Sequence, residues 1–300
     1  MNLYIVESPL QIICAYEAIL GHPEEPYLLL IRKTDRGLND QHLIECAEFF
    51  NLEYTAFKLY PDCIKFHFIM NLFLWLKLSI IRFNKIYLGS IYSNALRKIK
   101  IILRGKELFY LDDGAATIRA QVDMSNSLLP CSNLFTFFHL NELSGQKIVH
   151  HNFSNIRKEI KVMKGEKAYF IGQPVEHMVG FTERDYIDCV KYIAQKFSKN
   201  CPLLYVPHRV EDCTKISSIE NVVILKLDQP IELYFIRNEE EVPAIVYSCY
   251  SSALLSLKVL FPNLDAVAIK PMNMDTQSEG MKQVYHHFSN NKINVIERGV

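Results

Sequence analysis

Residues 107–114 read Glu-Leu-Phe-Tyr-Leu-Asp-Asp-Gly. A short apolar and aromatic run bounded by turn-forming residues is the pattern of a buried β-strand. The run stops abruptly on two carboxylates. Adjacent aspartates repel one another, which is an odd choice for a purely structural turn, and Gly114 permits a tight or positive-φ backbone. An aspartate at a strand's mouth suits the removal of a proton from a hydroxyl. An Asp/Gly turn that caps the next helix would look the same.

The pattern repeats on either side. Asn2–Val6 reads as a buried strand, and Ser8-Pro9-Leu10-Gln11 opens a helix, with serine as its cap and proline in its first turn. Residues 27–32 and 54–59 read as strands around a helix at 39–50, and 85–88 reads as a strand ending at Gly89-Ser90. Strand and helix alternate, so the sheet is expected to be parallel with helices on both faces. Polar, weakly patterned residues near 152–166 place a linker, giving expected domains at 1–155 and 156–300. Beyond it, strands are expected at 168–171, 203–206, 222–225, 244–247 and 266–269, with helices at 186–197 and 251–260. The expected architecture is α/β: two halves of similar size facing each other, with the cleft built from loops at the C-terminal strand ends.

Two further stretches in the second half carry chemistry. Pro207-His208-Arg209 follows the strand Leu-Leu-Tyr-Val, where an α/β sheet holds its ligands. His208 suits protonation of, or a hydrogen bond to, a departing phosphate oxygen, and Arg209 suits pairing with an anion. An exposed loop histidine is the bland alternative. Ser251-Ser252 opens a helix, where hydroxyls and free N–H groups make an anion site or a simple cap. Glu232, after Pro230-Ile231, suits a ribose hydroxyl pair or the helix dipole. Ser8 and Gln11 are candidates for contact across the cleft.

Lys+Arg and Asp+Glu both number 33, so no global basic field argues for nucleic acid. The eight cysteines lack any CxxC spacing, which disfavours zinc and a redox pair and suits buried thiols in a reducing compartment. A strand begins within the first residues, so no secretory leader is expected. There is no GxGxxG, no GxxxxGK(S/T), no GxSxG and no DxD. A dinucleotide site, a P-loop and a serine-hydrolase elbow are therefore disfavoured, and no metal or cofactor is expected.

Residues 66–83, Phe-His-Phe-Ile-Met-Asn-Leu-Phe-Leu-Trp-Leu-Lys-Leu-Ser-Ile-Ile-Arg-Phe, are nearly long enough to span a bilayer. Asn71, Lys77 and Arg82 interrupt them, and Lys58, Lys65, Lys85, Arg97, Lys98, Lys100, Arg104 and Lys106 surround them. A buried helix is one reading. A helix lying on an anionic membrane surface is the other.

Together the motifs are more specific than each alone. The opening strand, the Ser8–Gln11 turn and a helix containing Tyr16-Glu17-Ala18-Ile19 resemble the start of bacterial sialyltransferases of the lipooligosaccharide and polysialyltransferase-like groups. Their three ordered motifs are an acidic pair with glycine, a His-Pro motif and a Ser-Ser/Thr motif. They match Asp112-Asp113-Gly114, His208 and Ser251-Ser252; Gly172-Gln173-Pro174 and Pro230-Ile231-Glu232 look like family elements between them. The resemblance covers roughly residues 1–260. One departure is plain: the family histidine is followed by proline, whereas here Arg209 follows and Pro207 precedes.

The resemblance implies an α/β fold of the GT-B type, two Rossmann-like domains facing across a cleft, and an inverting, metal-independent transfer of sialic acid from CMP-sialic acid to a terminal galactose of a bacterial surface glycan, such as lipopolysaccharide, O-antigen or capsule. It implies Asp112 as general base, with Asp113 the second choice, and His208 as acid or phosphate partner, with Arg209 in support. It implies Ser251 and Ser252 on the CMP phosphate, Glu232 on the cytidine ribose, and Gly172 and Gln173 in the donor site. The chemistry fits these roles. The anomeric carbon of sialic acid becomes strongly cationic as CMP leaves, so the phosphate must be stabilised and the acceptor deprotonated in line. A lipid-linked acceptor and a cytoplasmic, peripheral position at the inner membrane would suit the basic apolar region. The alternatives are a transferase of the same fold using another activated sugar, and a non-catalytic glycan- or nucleotide-binding module.

Overall fold

The computed structural model describes residues 1–35, 37–60, 63–160, 165–174, 181–208, 211–237, 242–271 and 279–298. The chain divides into two compact units, Met1–Glu159 and Ile160–Val300.

Unit 1 holds seven strands: β1 (Asn2–Val6), β2 (Tyr27–Lys33), β3 (Tyr54–Lys58), β4 (Arg82–Leu88), β5 (Arg104–Leu111), β6 (Asn133–Thr136) and β7 (Ile148–His150). Their order is β3-β2-β1-β4-β5-β6-β7, and every pairing is parallel. A parallel pair needs a crossover. These are α1 (Pro9–Leu20), α2 (Gly37–Phe49), α3 (Ile64–Met70), α4 (Leu72–Ile80), α5 (Asn94–Lys100) and α6 (Ala115–Ser125), with α7 (Ser154–Glu159) closing the unit. All five residues of β1 are buried, as expected of a central strand covered on both faces. Tyr4 stacks on Tyr87 of β4 at 4.7 Å between centroids, and Tyr87 in turn stacks on Phe109 of β5 at 5.6 Å.

Unit 2 holds six strands: β8 (Ala168–Ile171), β9 (Leu203–Val206), β10 (Val222–Ile224), β11 (Ile245–Ser248), β12 (Asp265–Pro271) and β13 (Asn294–Arg298). Their order is β10-β9-β8-β11-β12-β13, again wholly parallel. The helices are α8 (Glu183–Ala194), α9 (Ile231–Arg237), α10 (Ala253–Leu260) and α11 (Glu279–Asn290). Thr182 and Asp185 form a reciprocal capping box at the start of α8. The last residues stay in this unit, because β13 pairs with β12.

The apolar stretch 66–83 departs from a single helix. Asn71 Nδ2 donates to His67 O at 2.6 Å and to Lys58 O at 2.9 Å, so its side chain satisfies backbone carbonyls at the junction of α3 and α4. The stretch then ends as β4, where Phe83 is fully buried in the sheet. Among the described residues no helix is long and apolar enough to cross a membrane.

Candidate active site

The strand order of each sheet reverses at one point, between β1 and β4 in unit 1 and between β8 and β11 in unit 2. Crossovers leave opposite faces there, which opens a crevice at the C-terminal strand ends. Of the residues expected from sequence, Ser8 and Gln11 follow β1, and Gln173, Ser251 and Ser252 follow β8 and β11 at these points; Asp112 and Asp113 follow β5, His208 follows β9 and Glu232 lies on α9.

In unit 1 the acidic pair divides its work. Asp112 is fully buried. Its Oδ1 accepts from Thr136 Oγ1 at 2.6 Å, its Oδ2 accepts from Phe137 N at 2.8 Å, and His151 Nε2 stands 3.5 Å from Oδ2. The residue that the sequence favours as base is thus the enclosed member, with both oxygens engaged in tying β5 to the end of β6. Asp113 is only half-buried. Its Oδ1 accepts from Gln11 Nε2 at 2.9 Å, and its N donates to Thr117 Oγ1 at 2.9 Å in the first turn of α6. Gly114 follows at φ 63°, the left-handed region that glycine enters at little cost.

Gln11 ties the end of β1 to the end of β5 through its amide. It is fully buried, and its Oε1 accepts from Glu7 N at 2.8 Å while its Nε2 holds Asp113. The first turn of α1 therefore fixes a carboxylate at the end of β5. Gly89, at the end of β4, lets the amide pass: a Cβ there would overlap Gln11 Oε1. Ser8 caps α1 by position, yet its Oγ is buried and makes no hydrogen bond among the described residues.

Sequence reasoning missed Glu7. Its Oε2 accepts from Arg32 NH1 and from Ser93 Oγ, the latter at 3.0 Å, and Arg32 also donates to Leu59 O from Nε and NH2. Burial pushes the Glu7 carboxyl above its usual range, Arg32 pulls it back, and the charge of Asp113 adds a smaller upward push. The pair sits one residue past β1 and two past β5, and only the fold makes them neighbours.

In unit 2 Gln173 joins the two strands at the switch point. Its Oε1 accepts from Tyr250 N at 2.9 Å and from Ser248 Oγ at 3.3 Å, while Tyr250 OH donates to Pro174 O at 2.7 Å. Gln173 Nε2 is buried without a hydrogen-bond partner among the described residues. Ser251 and Ser252 follow on the same loop, both half-buried; Ser251 Oγ accepts from Ala253 N at 3.3 Å. The Ser252 side chain makes no capping bond to α10.

His208 is half-buried at the end of β9, and Arg209 lies outside the described residues. Glu211 closes the turn: His208 N donates to Glu211 Oε2 at 3.0 Å, and Glu211 N donates to His208 O at 2.9 Å. Glu211 also accepts from Tyr205 OH, which meets Tyr186 OH at 2.6 Å. Burial raises the Glu211 carboxyl above its usual range, and these bonds partly offset the rise. Gly172 is needed beside them, since a Cβ there would overlap Glu211 Oε2. Glu211 stands only three residues after His208, and the signal for its role is its place in that turn.

Glu232, in the first turn of α9, is nearly enclosed, and its Oε1 accepts from Ser256 Oγ of α10 at 2.6 Å. A ribose would compete with Ser256 for that oxygen. Burial raises its carboxyl above the usual range. Among the described residues the enclosed group able to ligate an ion is Cys14, Asp112 and His151, with ligand atoms within 4.8 Å of one another. Asp112 already serves Thr136 and Phe137 there.

No family model matches the chain. It is 24% identical over 303 residues to an N-acetyllactosaminide alpha-2,3-sialyltransferase of Haemophilus influenzae, covering 88% of this chain and 90% of that protein. In structure it resembles a putative UDP-N-acetylglucosamine 2-epimerase of Listeria monocytogenes at a TM-score of 0.56 and 10% identity, covering 89% of this chain and 78% of that one. It also resembles the UDP-GlcNAc 2-epimerase of Neisseria meningitidis at a TM-score of 0.51 and 10% identity, covering 96% and 90%. The fold is the two-domain GT-B type, built here from two parallel-sheet α/β units. The sialyltransferase relative supports a glycosyltransferase.

Proposed function

We propose that this protein transfers sialic acid from CMP-sialic acid to a galactose-terminated bacterial glycan. The observation that carries the reading is the hold of Gln11 on Asp113: a half-buried carboxylate is fixed by a buried amide at the C-terminal edge of a parallel sheet. Such a group is oriented without being sealed, which is what a base for an acceptor hydroxyl needs. Asp113 is therefore the base in this reading. Asp112 is a positioning residue that shapes the loop beneath it.

Unit 2 carries the donor. His208 donates to, or protonates, a phosphate oxygen of CMP as the glycosidic bond breaks, and Ser251 and Ser252 supply hydroxyl donors to the same phosphate. The uncommitted Nε2 of Gln173 adds a donor beside the loop that bears the serines. Glu232 is assigned to the ribose, in exchange with Ser256. The electron pair of the breaking bond leaves on the CMP phosphate, and the acceptor proton goes to Asp113.

The test is CMP release from CMP-sialic acid in EDTA, with and without a terminal galactoside. Acceptor-dependent release by the native protein, reduced about 10²–10⁴-fold in Asp113→Asn and in His208→Ala, supports the reading. No release with any galactoside overturns it. The shared fold with proteins named as UDP-GlcNAc 2-epimerases makes UDP-activated hexoses the next donors to try.

A further inference from the structure

α3 and α4 bury one narrow side and leave the rest uncovered. Trp75 and Leu78 pack into the core of unit 1 with Phe57, Leu59 and Phe83. On the other side Phe66, Ile69, Met70, Leu72, Phe73, Leu76 and Ile80 are exposed, Phe73 to 82% and Ile80 to 79%. Ile101, between α5 and β5, is 82% exposed as well. Single exposed apolar residues are ordinary, but seven along two consecutive helices mark a contact surface.

The charge around this surface is of one sign. Residues 54–106 hold ten Lys or Arg and one acid, Asp62, which lies outside the described residues. Lys65 and Lys77 are exposed on α3 and α4 themselves. Arg82 and Arg104 are matched in register on β4 and β5, next in sequence to the ends of α4 and of the α5–β5 turn, and both are exposed. Like charges at matched positions on neighbouring strands destabilise a sheet. Neither arginine makes an ion pair among the described residues, so no acid there offsets the repulsion.

We infer that this face docks on an anionic phospholipid surface, with Phe73, Leu76, Ile80 and Ile101 entering the headgroup–acyl boundary and Lys65, Lys77, Arg82 and Arg104 meeting lipid phosphates. An apolar helical face rimmed by cations is the composition of an interfacial helix, and α3 and α4, of seven and nine residues, are too short to span. A second copy of the chain fits less well. A twofold contact would set two cationic rims against each other with hardly an acid to answer them. The inference does not depend on the transfer reaction, because its test reads partition onto lipid.

The experiment is co-sedimentation of the full chain with vesicles of phosphatidylglycerol and phosphatidylethanolamine, and separately of phosphatidylcholine alone. The expected result is binding to the anionic vesicles that weakens in high salt. Phe73→Ser with Leu76→Ser should lower the partition coefficient at least about tenfold, and Lys77→Glu with Arg82→Glu by a similar factor. Ile101→Ser, in a turn outside α3 and α4, should reduce it in a protein of unchanged melting temperature. Protein that stays in the supernatant with anionic vesicles overturns the inference, as does equal, salt-insensitive binding to both vesicle types. A dimer in sedimentation velocity that Phe73→Ser breaks, without lipid binding, would assign the face to a second copy instead.

Discussion

At the scale of the residue, the contrast between Asp112 and Asp113 is one of access. Asp112→Asn would leave one carbonyl oxygen for two buried donors, Thr136 Oγ1 and Phe137 N, so one of them loses its acceptor. The expected loss is about 1–3 kcal/mol of stability, seen in denaturant titration, with a far smaller fall in turnover than Asp113→Asn. Gly89→Ala is a sharper probe of the Gln11 contact. The new methyl displaces the amide that holds Asp113, so turnover should drop while the circular dichroism spectrum stays native. Combining it with Gln11→Ala should cost little more than either alone, since both remove one contact. The placement of the acidic pair, His208 and the serines just past strand ends was legible in the sequence, because apolar runs stop before each of them. The division of labour within the pair was not legible. It depends on Thr136 and Phe137 of β6, residues with no sequence-local tie to the motif.

At the scale of the element, apolar patterning located most strands to within a residue or two, and it failed where composition and side-chain bonding disagreed. The stretch 66–83 is apolar enough for one helix. Asn71 breaks it by turning its amide onto two carbonyls, a contact that hydropathy does not report. The short strands β6 and β7 were missed for the related reason that runs of four and three residues carry little periodicity. Asn71→Ala should forfeit both bonds, at roughly 0.5–1.5 kcal/mol each. A fall of a few degrees in Tm with kcat unaltered is the expected outcome, read by differential scanning fluorimetry alongside the CMP assay.

At the scale of the molecule, three carboxylates, the partly buried Glu7 and Glu211 and the buried Glu232, all have pKa values pushed upward, chiefly by burial. The folded state then keeps protons that the unfolded chain has released. Their contribution to stability is complete below the ordinary glutamate value, about 4.3, and is lost as pH rises through the folded values. The melting temperature should therefore fall as pH rises from mildly acidic toward neutral. Glu232→Gln should flatten that slope, because the amide keeps a partner for Ser256 and carries no charge to bury. A slope unchanged in this variant would assign the pH dependence to other groups.

The placement of β1 at the centre of its sheet also governs how the chain is made. One edge of β1 is covered once β2 is synthesised, but the other waits for β4, which begins at Arg82. At roughly 5–20 residues per second on the ribosome, that edge stays open for several seconds. The uncovered helices α3 and α4 emerge within the same interval. Newly made chains thus pass through a window in which a bare strand edge and two apolar helices are presented together. Overproduction should lose protein to inclusion bodies in that window, and slower translation at low temperature should recover it.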